Sequence, residues 1–197
     1  MQSSLNFAAP QNIQDQIKVC HVIIQLEAPG GAERMLMQML LSHKNSLPNK
    51  MVLVLCEAGA WGEQLRNAGA TVHELHMRSF IDAPCSYLKL KKAISTFKPD
   101  IVQTWMYHSD FLGGLAAYYS GAKNIIWGIH RTSLVATDSL VTKVIMKLCA
   151  RMSSWLPRKI IPVAEAGKQA HIAAGYDARK IEVIPNGFYF TKLIATP

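Results

Sequence analysis

No apolar run in this sequence reaches the roughly 18 residues that a membrane-spanning helix needs, because Lys or Arg breaks each candidate. Any membrane contact is therefore expected to be peripheral. Cysteine is scarce: Cys20, Cys56, Cys85 and Cys149 lie far apart with no Cys-x-x-Cys pair, and all but Cys85 sit in apolar runs. They read as reduced core thiols of a cytoplasmic protein, and no metal site is expected. Met1 to Gln16 lacks both the basic start and the apolar block of a signal peptide, so 1–16 reads as a disordered tail. Acidic residues are few, 13 against 21 Lys and Arg, for a formal net charge of +8. That balance suits nucleotide sugars, anionic lipids or nucleic acid alike. The basic residues are scattered and no nucleic-acid motif occurs, so nucleic acid is not expected as a partner. Internal repeats and low-complexity tracts are also missing.

What the chain does have is enough apolar material for a core, since half of its 197 residues are hydrophobic. Apolar runs of strand length alternate with amphipathic helix-length segments, which implies right-handed crossovers and an α/β fold, a Rossmann-like parallel sheet with helices on both faces. Strands are expected at 17–25, 50–56, 71–75, 101–104, 124–128, 159–163 and 181–184. Helices are expected at 32–43, 62–68, 87–96, 109–119, 140–154 and 166–174, with a loop over 77–86. Gly69, Gly121 and Gly175 each follow a helix, where a left-handed residue ends it at little cost.

Between the first strand and first helix stand Gly30 and Gly31. Paired glycines let the backbone approach a ligand that a Cβ would block, and the following helix aims unpaired N–H groups and the positive end of its dipole at the same gap. The pair serves either as a diphosphate site or as a tight turn. Neither the Gly-x-Gly-x-x-Gly fingerprint nor a P-loop Lys-Ser/Thr is present, so a nucleotide-dependent oxidoreductase is poorly supported, although Cys56-Glu57 offers an acid at the end of the second strand. In an open parallel sheet ligands gather beyond the carboxyl ends of the strands. The residues there are Gly30 and Gly31, then Trp105, Met106, Tyr107, His108 and Asp110, then His130, Arg131 and Thr132, and Glu165. Rings, imidazoles and hydroxyls on one rim fit a carbohydrate or nucleotide pocket.

Three segments, running from Pro29 to Leu36, from Pro99 to Gly114 and from Ile126 to Thr132, together resemble the group 1, or family 4, retaining glycosyltransferases in composition, order and spacing. Val163-Ala164-Glu165-Ala166-Gly167-Lys168 and Val183-Ile184-Pro185-Asn186-Gly187-Phe188 resemble that family's closing N-domain motifs. The resemblance implies a GT-B enzyme in which two Rossmann-like domains face across a cleft and move a sugar from a nucleotide-diphosphate donor to a glycan or lipid-linked acceptor with retention. Surface polysaccharide or lipopolysaccharide-type synthesis, at the inner face of the membrane, is the implied setting. No metal or other cofactor is implied. Residues 17–187 correspond to the acceptor-side N-domain and 188–197 to the start of the interdomain linker. The donor motif of the second domain is not found, so the chain alone is expected to be inactive. The alternative is a truncated fragment, or an acceptor- and membrane-binding subunit that needs a separate donor-binding chain.

Carried over by position, the resemblance gives His130 the catalytic role, a polar contact to the donor sugar near its anomeric centre. Gly30, Gly31, Arg131, Asn186 and Gly187 correspond to donor diphosphate or sugar contacts. Trp105, Tyr107 and His108 correspond to a variable acceptor loop whose ring faces stack on sugars. Asp110 suits a helix cap, and Glu33 complements a helix dipole. Ala164 departs from the family's usual Ser, removing a hydroxyl. The segment 140–154 has Val141, Val144, Ile145, Leu148 and Met152 on one side and Lys143, Lys147 and Arg151 on another. Its apolar stripe is expected to pack on the sheet, leaving the cations for anionic lipid.

Overall fold

The chain turns outward and back about its first strand. The computed structural model describes residues 17–27, 30–42, 49–131 and 139–187. The tail to Gln16, Pro29, the helix end at His43, Thr132 and the linker at 188–197 lie outside the described residues. In chain order the elements are β1 (Val19–Ile23), α1 (Gly31–Ser42), β2 (Lys50–Val54), α2 (Gly59–Asn67), β3 (Thr71–Glu74), α3 (Ala83–Phe97), β4 (Ile101–Trp105), α4 (Met106–Tyr119), β5 (Ile125–Ile129), α5 (Leu140–Met152), β6 (Lys159–Pro162) and α6 (Glu165–Ala173). The strands form a parallel sheet in the order β3-β2-β1-β4-β5-β6. After β1 the chain winds away through β2 and β3, then crosses back so that β4 pairs with the other side of β1, Val22 opposite Thr104. That reversal opens a crevice beyond the carboxyl ends of β1 and β4.

Right-handed crossovers sort the helices between the two faces. Cys20 and Val22 of β1, Val102 of β4 and Trp127 of β5 pack with Leu90 and Ile94 of α3, Ala116 of α4 and Ile145 of α5. On the opposite face Ile23, Val52, Val54 and Trp105 pack with Ala32 and Leu36 of α1 and Leu65 of α2. Helix α4 lies unusually close to the sheet. A Cβ on Gly113 would come within 2.8 Å of Val22 Cγ1, and one on Gly114 within 3.1 Å of Trp127 Nε1. Cys20 and Cys149 are buried thiols, Cys56 is half-buried and Cys85 is exposed.

Several boundaries differ from those expected. Helix α2 opens at Gly59 rather than Gly62, because the Glu74 carboxylate accepts from Ala58 N at 3.0 Å and satisfies its start. The expected loop over 77–86 holds a 3₁₀ turn, Phe80–Asp82, and the first turn of α3. There Asp82 Oδ2 accepts from Arg78 N and Ser79 N, and Pro84 sits in the first helical turn, where it lacks no needed hydrogen bond. Residues 181–184 do not form a strand: Ile181 makes a single bridge to Ile160, although Glu182 N and Ile184 N still donate to the carbonyls of Ile160 and Pro162.

Beneath α4 lies a buried carboxyl. Asp110 is fully buried and is not a helix cap. Its Oδ1 accepts from Thr104 Oγ1 at 2.5 Å, while Oδ2 has no partner among the described residues. Burial pushes its pKa well above the usual carboxylate range, only partly offset by the Thr104 bond. A group that binds its proton more tightly when folded loses stability as pH rises from its unfolded value, about 3.9, through its folded one. Asp110→Asn is therefore expected to gain stability relative to the wild type as pH rises from 4 to 8. Urea midpoints at the two pH values measure this; parallel pH profiles would contradict a neutral Asp110.

Candidate functional site

The amide end of α1 is one wall of the crevice. Arg34 N donates to Gly30 O at 3.1 Å, closing the first turn, which leaves the amides of Gly31, Ala32 and Glu33 without intrahelical partners. Among the described residues nothing lies within 4 Å of where a Cβ at Gly31 would stand. Gly30 differs, because the Glu33 carboxylate folds back onto the spot where its Cβ would lie. In that position Glu33 complements the helix dipole, as its place in the first turn suggests.

His130 follows β5 and forms the other wall. Strands β1 and β5 are separated only by β4, so the connection that leads to the glycine pair and His130 leave the sheet from the same rim, two strand spacings apart. The His130 ring stacks on Trp105, with centroids 4.9 Å apart and planes at 24°, and its backbone N–H donates to Met106 Sδ at 3.3 Å. Burial pulls its pKa down to about 4, so the imidazole is neutral near pH 7. Its Nδ1 is buried and has no partner among the described residues. A buried imidazole nitrogen without a partner is uncommon.

The three residues expected to form an acceptor loop part company. Trp105 is 2% exposed: it ends β4 inside the α1 layer, and its indole N–H donates to His21 Nδ1 at 3.3 Å. Its ring backs His130 rather than facing solvent. Tyr107 is 1% exposed and lies in the opposite core. There its hydroxyl meets His171 Nε2 at 2.8 Å, and His171 Nδ1 lies 2.6 Å from the Gly167 carbonyl, which fixes that ring's tautomer so that Tyr107 donates. Neither ring is open for stacking on a sugar, which corrects the expectation. The cause is the absence of a loop: α4 begins at Met106, with φ of +69°, directly after β4, and Tyr107 turns inward with the first helical turn. Only His108 stays near the surface, half-buried, with its ring 5.9 Å from that of Phe80.

Arg131 is half-buried, and its charge is felt at His171, helping to lower that imidazole's pKa behind the larger effect of burial. Asn186 and Gly187 follow the segment that runs beside β6, two strand spacings beyond His130. They share the rim without adjoining the glycine pair. Glu57, Glu74 and His76 cluster at the other end of the sheet, but Glu74 is already held by Arg66 and the Ala58 amide. In the sequence His21 is hidden inside an apolar strand. A histidine inside such a strand requires a donor or acceptor partner, and Trp105 is that partner.

Trp105 sets the environment of His130, which gives a measurable consequence. Trp105→Leu should raise the His130 pKa from about 4 toward the free value of about 6.5, followed by the imidazole Cε1–H shift in an NMR titration. Trp105→Phe, which keeps a stacked ring but not the bond to His21, should leave it low. Equal values in both variants would show that the ring contact does not control His130.

No curated protein sequence matches the chain significantly. Among solved structures, Anabaena Alr3699/HepE in complex with UDP superposes with a TM-score of 0.71 at 17% identity, over 87% of this chain and 44% of that one. The same protein with UDP-glucose gives 0.70 at 18%, over 86% and 44%. The apo lipopolysaccharide outer core galactosyltransferase WaaB gives 0.68 at 17%, over 92% and 49%. The chain thus spans just under half the length of these proteins, and at such identities the likeness is one of fold. Residues 29–189 match the family model described as Glycosyltransferase Family 4. The chain belongs to Glycosyltransferase Family 4, with the Rossmann-like sheet of a GT-B N-terminal domain.

Proposed function

We propose that the chain forms the acceptor-side half of an enzyme that transfers a sugar from a nucleotide-diphosphate donor to a glycan or lipid-linked acceptor with retention of anomeric configuration, in polysaccharide or lipopolysaccharide-type synthesis. What supports this reading is that the unpaired first-turn amides of α1, which follows β1, and His130, which follows β5, both lie beyond the carboxyl ends of the strands that flank β4. Amides there meet the charge that develops on a departing diphosphate, in a setting that needs little reorganisation. A neutral His130 can meet a sugar hydroxyl through Nε2, as donor or acceptor according to its tautomer. Arg131, Asn186 and Gly187 serve the donor from farther along the rim. The match to proteins solved with UDP and UDP-glucose, and to a galactosyltransferase, supports a nucleotide-sugar donor. A second Rossmann-like domain, in the same polypeptide or another, completes the donor site.

A related reading is an acceptor- and membrane-binding subunit working with a separate donor-binding chain. Among the described residues no helix is long and apolar enough to cross a membrane. Helix α5 instead leaves Leu140, Val144 and Leu148 exposed beside Lys147 and Arg151, the make-up of a helix that rests on an anionic lipid surface. Turnover of a nucleotide sugar by the purified chain alone would rule that reading out.

In the enzyme assembled with its donor domain, His130→Ala and Gly31→Val should each lower kcat/KM at least about tenfold, or about 1.4 kcal/mol of transition-state stabilisation. Gly31→Val is informative because nothing crowds its Cβ, so melting temperature should change little. Wild-type turnover at matched folding would remove both residues from the site.

A further inference from the structure

The two helix layers differ in what they show to solvent. Among the described residues, the large hydrophobic side chains that stand exposed lie on α3, α4 and α5 or on the turns beside them, with Ile184 the exception. The layer of α1 and α2 has none. Helix α5 is split lengthwise: Ile145, Cys149 and Ala150 are buried against the sheet side, but Val144 is 56% exposed and Leu148 40%. This corrects the expectation that the whole stripe packs on the sheet. Leu88 on α3, Tyr118 and Tyr119 at the end of α4, and Trp155 just after α5 are exposed as well. The Tyr118 ring lies edge to face with both Tyr119 and Trp155, centroids 5.3 Å apart in each pair, so the three rings join the ends of α4 and α5 into one surface. At the same end Ser120 Oγ donates to the Lys91 carbonyl at 3.2 Å and seats α4 against α3. At the other end, where the three helices begin, the surface meets an apolar groove bordered by His108.

Charge is as one-sided as apolar area. Helix α3 carries Lys89, Lys91 and Lys92, and α5 carries Lys143, Lys147 and Arg151. The one acidic residue of the three helices, Asp110, is buried beneath α4. The acids that flank α3 along the chain are engaged elsewhere: Asp82 Oδ2 accepts from the amides of Arg78 and Ser79, and Asp100 Oδ2 from that of Lys18. Helices α1 and α2 are balanced by contrast, with Glu33 and Glu63 against Arg34 and Arg66. Lys92 is exposed four residues after Leu88, and Lys147 and Arg151 are exposed three residues after Val144 and Leu148. On a helix these spacings set each cation beside an apolar neighbour.

We propose that the α3–α4–α5 layer docks on an anionic lipid surface, with Trp155, Tyr118 and Tyr119 at the level of the headgroups and Lys92, Lys147 and Arg151 meeting their phosphates. The proposal extends to three helices the membrane contact considered above for α5 alone, and the binding does not depend on sugar transfer. An exposed apolar area of this breadth marks a partner or a membrane. Trp and Tyr favour the membrane–water interface, where one side of the ring is apolar and the other wet. Lys and Arg beside them are drawn to the negative potential of anionic lipid. A second copy fits less well, because a two-fold contact through this layer would set cations against cations with no exposed acid on the three helices to pair with them.

The test is co-sedimentation of the full chain with vesicles of phosphatidylcholine alone and with about one-third phosphatidylglycerol, at physiological ionic strength. The anionic vesicles should bind at least about tenfold more tightly, and about 1 M salt should release the chain. Val144→Asp with Leu148→Asp, at exposed positions that tolerate charge, should weaken binding at least about tenfold with little change in melting temperature. Arg151→Glu should weaken it more than Arg34→Glu, which changes net charge equally on the opposite layer. Trp155 emission should shift to the blue on binding, and Trp155→Phe should abolish that shift, since Trp105 and Trp127 are buried. Equal binding to neutral vesicles, no binding at all, or equal loss in the two arginine variants overturns the proposal. Self-association that the paired aspartates abolish also overturns it, by making the layer an interface between copies. So does binding to soluble polyglutamate as tight as to anionic vesicles, which would place an acidic protein there. If the chain binds anionic vesicles as described and the assembled enzyme transfers no sugar, the surface stands and the proposed reaction falls.

Discussion

The junction of β4 and α4 governs the site, because it contains no loop. Met106 takes a left-handed backbone so that the helix can start directly at the strand end. With no slack in the chain, successive side chains must go to separate places. Trp105 enters the α1 layer, Met106 presents its sulfur to the His130 amide, Tyr107 enters the opposite core and His108 reaches the groove. The close seating of α4, which Gly113 and Gly114 permit, holds this arrangement against β1 and β5. A longer connection would have freed those rings for a ligand but left His130 without its backing.

Burial also shapes the electrostatics of the rim. His130 and His21 are neutral near pH 7 because charging them would require solvation that their surroundings do not provide. Burial likewise pushes the Asp110 carboxyl well above the usual carboxylate range. The buried groups behind the crevice therefore contribute little net charge of either sign. What an incoming anion meets is the amide end of α1, set in a chain of net charge +8. The local opposition comes from Glu33, whose carboxylate occupies the Gly30 side.

The sheet, its parallel sense and the two helix layers were legible because each strand is a short apolar run and each helix keeps a regular stripe. The positions of the glycine pair and His130 were legible for a similar reason: the pair opens the helix that follows the first strand, and His130 directly follows the fifth strand. Trp105 and Tyr107 were misread because periodicity does not show whether a strand passes into a helix with or without a loop. Tyr107 looks like a loop aromatic until the helix is known to start one residue earlier. Helix α5 was misread for a different cause. Its stripe is wider than the sheet can cover, and sequence pattern gives the width of a stripe but not the area available to bury it. The start of α3 was hidden by Pro84, which breaks a helix in its interior but is welcome in its first turn.

The two sides of the glycine pair have different consequences for binding. At Gly31 the approach is free, whereas at Gly30 a phosphate must replace the Glu33 carboxylate. The exchange is close to balanced, since either anion satisfies the same dipole and the same orphan amides. Glu33 is tethered and bears one charge, while a diphosphate bears more and brings further acceptor oxygens, so the ligand gains most where it can reach several amides at once. In the proposed donor site the carboxylate would set a threshold that a singly charged anion gains little by crossing, and a diphosphate able to span Gly31 and Gly30 together would be favoured over it. On the proposed function, selectivity for the doubly bridging group would then rest on one side chain in the first turn of α1, without a dedicated basic residue in the loop.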